Sequence, residues 1–238
     1  MLYGLEQSEY LRKNSILELE HPSLSGRKLI SGQADIGLIP VAFLTQLEKY
    51  KIISETCIAT DQYMPSVLLS SQVPMNEVEK IWLDYHSASS VNLVKILAEN
   101  FWKISPVWLK SANGYENKIH NRLAGVIIGD RALKYRSRFS YNYDLSAEWY
   151  KFTGLPFVFA CWVTTKDLDP EFLMEFEKAL HLGIDHLDEV VRIEEKKYSF
   201  PNINIEEYLK VFLKFKLDIP KKEGMKLFLN YLSMVSPY

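Results

Sequence analysis

Residues 81–97 read IWLDYHSASSVNLVKIL. A short apolar run ends at Asp84, a turn carrying Ser87, Ser89 and Ser90 follows, and an amphipathic helical pattern starts at Val91. A strand that passes through such a turn straight into a helix confines the chain to folds that join strands to helices. The first turn of a helix has backbone N–H groups without intrahelical partners, and the positive end of the helix dipole lies there. With serine hydroxyls added, the turn suits an anion such as a carboxylate. The same serines equally suit a plain helix cap.

The rest of the chain repeats the alternation, which predicts an α/β fold. Ile16–Glu20 alternates like a strand. Pro22-Ser23 opens a short helix with Ser23 as a natural N-cap, and Gly32 can end it. Strands are expected at Asp35–Ile39, which Pro40 stops, at Lys51–Ala59, Ser66–Leu69, Ile81–Leu83 and Pro106–Leu109. A short helix is expected from Pro74. Val91–Trp102 is a helix with positions 91, 94, 97 and 101 on one apolar face. Ala124–Ile128 (AGVII) is continuously apolar, the mark of a strand buried on both faces. Gly129 and Asp130 come next, where parallel sheets place ligands, although Asp130 also suits a helix cap. Trp149–Gly154 reads as a turn and Leu155–Val163 as another buried strand. From Asp169 onward the pattern is helical only: Pro170–Leu182, a charged stretch through Lys197, Ile205–Leu217 and Lys221–Val235. Two lobes result, residues 1–65 plus 164–238 and residues 66–163, with Ser66–Leu69 and Val158–Val163 as crossings.

Composition narrows the function. A hydrophobic fraction of 47% with 24% charged residues provides a full core, and a net charge of −2 gives no nucleic-acid footprint. Leu155–Val163, the longest apolar stretch, falls far short of the ~20 residues a membrane span needs. MLYGLEQSEYL, at the start, lacks the pattern of a signal peptide. Cys57 and Cys161 sit in apolar contexts and read as buried free thiols, which fits a reducing cytoplasm. The histidines, His21, His86, His120, His181 and His186, are scattered. The nearest pair is five residues apart and does not share a helix face, so no metal is expected. Gly4, Gly114 and Gly154 make no phosphate-cradling loop, so no nucleotide cofactor is expected. His86 beside the serine turn suits either an anion contact or an exposed turn. Asp35 suits backbone capping.

Five segments in order carry a resemblance: GQADIGLIPVAFL (32–44), CIATDQYMPSVLLSS (57–71), LDYHSASSVNLVKIL (83–97), AGVIIGDRAL (124–133) and YDLSAEWYKFTGLPFVFACWV (143–163). Together they resemble the menaquinone biosynthesis enzymes of the futalosine route, in the chorismate dehydratase branch. The resemblance implies a type II periplasmic-binding-protein-like fold, two α/β lobes around a cleft with a helical C-terminal tail, working in the cytoplasm. It implies dehydration of chorismate, a small dicarboxylate, to 3-[(1-carboxyvinyl)oxy]benzoate without cofactor, metal, nucleic acid or membrane. The substrate's own enolpyruvyl carboxylate is then the proton acceptor. Carried over by position, Ser87, Ser89 and Ser90 bind a carboxylate, with Ser87 catalytic. Ser23 faces the cleft, Gly129 and Asp130 lie at its edge, and Thr153 and Gly154 form the turn before the return strand.

Two departures accompany the resemblance. Ala88 stands where the family usually has arginine or another residue with hydrogen-bonding reach. Met1–Leu5 matches the stretch just after the family's first strand and Ser-Tyr-Leu-Asn segment, so the family's functional asparagine has no counterpart here. The alternatives are a non-catalytic binder of small carboxylates in the same fold, which these departures favour, and the sister 1,4-dihydroxy-6-naphthoate synthase.

Overall fold

A computed structural model of the chain describes residues 1–200 and 203–234. The elements up to the middle of the chain are α1 (Leu2–Gln7), α2 (Glu9–Asn14), α3 (Pro22–Ile30), β1 (Ile36–Pro40), β2 (Lys51–Thr60), β3 (Val67–Ser71), β4 (Lys80–Leu83), α4 (Ala88–Leu97), β5 (Val107–Lys110), β6 (Leu123–Ile128) and α5 (Gly129–Tyr135). After them come β7 (Tyr141–Asp144), α6 (Leu145–Thr153), β8 (Phe157–Thr164), α7 (Pro170–Asp185), α8 (Leu187–Lys197), α9 (Ile205–Glu207), β9 (Lys214–Lys216) and α10 (Ile219–Met234). The strands form two sheets, β1-β8-β2-β9 and β5-β4-β6-β3-β7.

The second sheet sets up the site. β4 runs parallel to β5 and β6, so β4 and β6 end on the same side and each hands the chain to a helix. β3 is antiparallel to β6 and begins beside its end, with Val67 opposite Ile128. One rim therefore gathers the serine turn, Gly129 and Ser66. The apolar run of β6 is buried on both faces: Val126 joins the main core with Leu93 and Val94 of α4, while Ile127 packs with Tyr115, Ala132 and Phe139. In the first sheet, β8 is antiparallel to both β1 and β2, and Cys57 of β2 lies opposite Cys161 of β8. Both thiols are fully buried, and burial pushes each up to about 12.

Several expectations are corrected. Residues 16–20 form no strand, and Ile16, Leu17 and Leu19 are 91%, 47% and 67% exposed. Alternation stabilises a strand only beside a partner that takes its backbone hydrogen bonds. Among the described residues none lies there, and Glu18 and Glu20 pair with Lys28 of α3 instead. The expected turn at 149–154 is the end of α6. Asp144 caps that helix by accepting from the Ser146 and Ala147 N–H groups, and Gly154 at φ 71° ends it. The C-terminal region is not wholly helical: Ile205–Leu217 divides into α9, a π-turn over Tyr208–Phe212, and β9, which pairs with β2. The last helix is α10, and Val235 lies outside the described residues.

The two sheets divide the strands differently from the expected lobes. β8 belongs to the first sheet, whereas a second lobe running to 163 includes it. The chain passes between the sheets at 61–66 and through α6, so β3 and β8 are not themselves crossings.

Candidate anion-binding site

The serine turn grows out of the end of β4. Asp84 Oδ1 accepts the His86 N–H at 2.8 Å, which bends the chain towards α4. Ser87 is the N-cap of α4: its Oγ accepts from the Ser90 N–H at 3.1 Å and donates to Ser90 Oγ at 2.9 Å. The N–H groups of Ala88 and Ser89 open the helix and have no intrahelical acceptor. Ser89 is 1% exposed and points inward. Its Oγ donates to the Phe159 carbonyl on β8 at 2.9 Å and accepts from the Ala42 N–H, just past β1, at 3.4 Å. Ser89 therefore ties α4 to the first sheet, while Ser87 and Ser90 face each other across the turn.

Ser23 is not the cap of α3. His21 holds that position, Pro22 is the first helical residue, and Ser23 comes second. The Ser23 hydroxyl instead donates to the His86 carbonyl at 2.7 Å. Beside that bond the His21 and His86 rings stack, with centroids 3.9 Å apart and planes at 16°. α3 packs on β1 of the first sheet and α4 on β6 of the second. The N-termini of two helices, one from each sheet, thus meet at one place.

Behind the turn lies a buried ion cluster. Arg131 of α5 donates from Nη2 to Asp84 Oδ2 at 2.6 Å and from Nη1 to Glu116 Oε1 at 2.7 Å. The Asp84 and Glu116 side chains are 0% and 4% exposed. The Tyr115 hydroxyl directs its single proton between Asp84 Oδ2 and the Val126 carbonyl, both within hydrogen-bond reach. The guanidinium also lies over the Tyr85 and Tyr115 rings, at 5.0 and 5.7 Å. Burial opposes the Arg131 charge, but Asp84 and Glu116 outweigh it and raise the guanidinium's pKa. Burial, aided by Asp84, raises that of the Tyr115 phenol. His86 is lowered, first by burial and then by His21 and Arg131, against the opposing pull of Asp84 and Glu116.

The turn after β6 is built differently. Gly129 adopts φ 60°, and its N–H donates to the Ser66 carbonyl at 2.7 Å. Ile128 is the N-cap of α5 and makes no side-chain cap bond, so Asp130 is not the cap. Asp130 is an exposed residue in the first helical turn, and its carboxyl is raised by partial desolvation and by Glu194. Ser66 Oγ lies 2.9 Å from the Tyr208 hydroxyl. Thr153 and Gly154 keep to the end of α6, and their hydrogen bonds stay within residues 149–155.

The structure therefore joins Ser23 to the serine turn and sets Gly129 and Asp130 on the neighbouring rim. Arg131, Tyr115 and Glu116 complete the cluster although the sequence did not single them out. The only signal for Arg131 was its place directly after Gly129-Asp130. Nothing in the local pattern marked Tyr208, which a π-turn brings to Ser66.

The chain is similar to several known proteins. A family model described as menaquinone biosynthesis matches residues 1–234. A Thermus thermophilus protein named chorismate dehydratase is 26% identical over 234 residues, covering 90% of this chain and 85% of that protein. A crystal structure of an Archaeoglobus fulgidus protein superposes with a TM-score of 0.69 at 16% identity, covering 92% of this chain and 85% of that one. The periplasmic aliphatic sulphonate-binding protein of Escherichia coli gives a TM-score of 0.59 at 13% identity, covering 98% and 82%. These likenesses establish the periplasmic-binding-protein-like fold. No helix among the described residues is long and apolar enough to cross a membrane.

Proposed function

This chain belongs to the menaquinone biosynthesis family, and from that premise we propose that it is a chorismate dehydratase, a hydro-lyase acting in the cytoplasm. The observation that carries the reading is the meeting of α3 and α4 where Ser23 Oγ reaches the His86 carbonyl. Chorismate has two carboxylates, and the two helix starts present favourable dipoles with open N–H groups at Ala88 and Ser89 of α4 and at Ser23 of α3. In α3, Pro22 has no N–H, and Leu24 and Ser25 donate to the His21 carbonyl. The likeness to the Thermus thermophilus protein named chorismate dehydratase supports the same substrate.

The reaction suits such a site. A proton leaves the ring carbon that bears the enolpyruvyl ether, hydroxide leaves the neighbouring carbon, and the ring becomes aromatic. Protein and substrate exchange no electrons. The enolpyruvyl carboxylate takes the proton, and the protein mainly fixes the ring's orientation and stabilises the departing hydroxyl. In this reading Ser87 lies beside that hydroxyl, and Ser23, Ser90, Gly129 and Asp130 line the substrate. Ser89 positions the turn through Phe159 and Ala42. Thr153 and Gly154 shape the end of α6. The lobe around the second sheet comprises residues 66–156, and the remaining residues form the other.

The test is product formation from chorismate by liquid chromatography and mass spectrometry. A product lighter than chorismate by one water, lost in the Ser87→Ala variant, is expected. Folded protein that binds chorismate and releases no product would move the assignment to a non-catalytic carboxylate binder.

A further inference from the structure

We propose that His21 and His86 act as one charge-accepting pair, taking up a proton when a substrate carboxylate binds and so supplying the positive charge that the serine turn lacks. The inference deepens the dicarboxylate reading above and rests on it.

The need for charge is visible in the turn. Ser87, Ala88, Ser89 and Ser90 carry none. Arg131 is the permanent cation nearest to His86 in the cluster, and it is committed to two buried carboxylates, Asp84 and Glu116. One guanidinium against two carboxylates leaves an excess of negative charge behind the turn. An incoming dianion meets that field unless a further cation forms.

The two imidazoles are placed to provide it. His21 occupies the N-cap position of α3 without a side-chain cap bond and His86 directly precedes the cap of α4, so each ring stands at one of the two converging helix starts. The rings stack at 3.9 Å, and the Ser23–His86 hydrogen bond holds the backbones together beside them. His21 is exposed and His86 half-buried, so the pair reaches solvent from the His21 side.

The surroundings of His86 disfavour its charged form. Arg131 Nη2 lies 3.4 Å from His86 Nδ1, and a guanidinium can only donate, so Nδ1 is the acceptor and Nε2 carries the proton. Tyr85 meets the ring edge-on at 4.0 Å, Asp84 and Glu116 stand behind Arg131, and His21 covers one face. Burial, His21 and Arg131 depress the His86 pKa, while Asp84 and Glu116 partly compensate. A carboxylate arriving beside the rings favours their charged form. Binding coupled to proton uptake weakens as pH rises, because the proton must be drawn from an ever more dilute pool in solvent.

The experiment uses the whole chain and the non-reacting product, 3-[(1-carboxyvinyl)oxy]benzoate, as ligand. Calorimetric titration near neutral pH in buffers of different protonation enthalpy counts protons taken up on binding. Turnover of chorismate gives KM and kcat in parallel. The expected results are a net uptake in the unaltered protein and its loss in His21→Gln. KM is expected to rise about tenfold with kcat little changed, as removal of one charge-assisted contact predicts. His86→Gln should behave alike. Should that variant fold poorly, the exposed His21 decides the matter, with urea unfolding as the check. Unchanged proton uptake and unchanged KM in folded His21→Gln, with chorismate still converted, would overturn the pair and leave the dehydratase standing. Neither conversion nor product binding by the unaltered protein would overturn the dehydratase reading and the pair with it.

Discussion

β4 and β6 lie side by side and both end in a turn that starts a helix, yet the two turns are constructed in opposite ways. After β4 the turn closes on its own side chains: Ser87 caps α4, and its hydroxyl is bonded to Ser90. After β6 no side chain caps α5. The backbone shape does the work, through the left-handed Gly129 and its bond to the Ser66 carbonyl. One residue couples the two, since Arg131 starts in the second turn and ends on Asp84 beneath the first. Serines can make a helix start self-sufficient, whereas a glycine start depends on its neighbours.

The strongest way to break this comparison is to remove the coupling. Arg131→Met should destabilise the protein by about 3–5 kcal/mol, because Asp84 and Glu116 are left buried without a counter-charge. Urea unfolding measures it, and a loss below about 1 kcal/mol would show that the turns are independent units. Gly129→Ala comes next. Nothing lies within 4 Å of the added Cβ, so the cost is that of φ 60° alone. That is about 1–2 kcal/mol by the same measurement. Ser87→Ala removes the cap and should cost about 1 kcal/mol, readable as a lowered thermal midpoint. A cost near zero would mean that the first turn owes nothing to its own hydroxyl.

The smallest effect concerns Asp130. Its folded pKa is raised, so the native state holds its proton to higher pH than the unfolded chain does. Its contribution to stability therefore falls as pH rises from the unfolded value through the folded one. Asp130→Asn should gain on the unaltered protein between pH 4 and pH 7, tracked by thermal midpoints at both. An opposite sign would show that the start of α5 accommodates the charge.

The sequence made these two turns legible to different degrees. A cap is local chemistry, and Ser87 with Ser90 could be read within four residues. Which serine faces away from the turn could not, because the acceptor for Ser89 is Phe159, far along the chain. β6 was legible because burial on both faces leaves an unbroken apolar run. Residues 16–20 show the converse, since their alternation is a strand signal whose outcome depends on a neighbour. α6 was hidden because its buried aromatic Trp149 looked like a turn beside Gly154, while its start signal, Asp144, lay in the preceding strand. The ion cluster joins positions 84, 116 and 131, and only folding brings those together. Function was legible through the ordered set of motifs rather than through any one residue.

Cys57 and Cys161 face each other across β2 and β8 with no exposed surface, and burial holds both thiols up to about 12. A thiol-directed reagent added to the native protein has nothing to attack until those strands part. Its labelling rate is therefore a stopwatch on the opening of the first sheet, running without any engineered probe. Ser89 ties the start of α4 to Phe159, two residues from Cys161 on the same strand. Slower labelling when ligand is added would report, from inside the first lobe, that occupation of the serine turn has tightened the strand behind it.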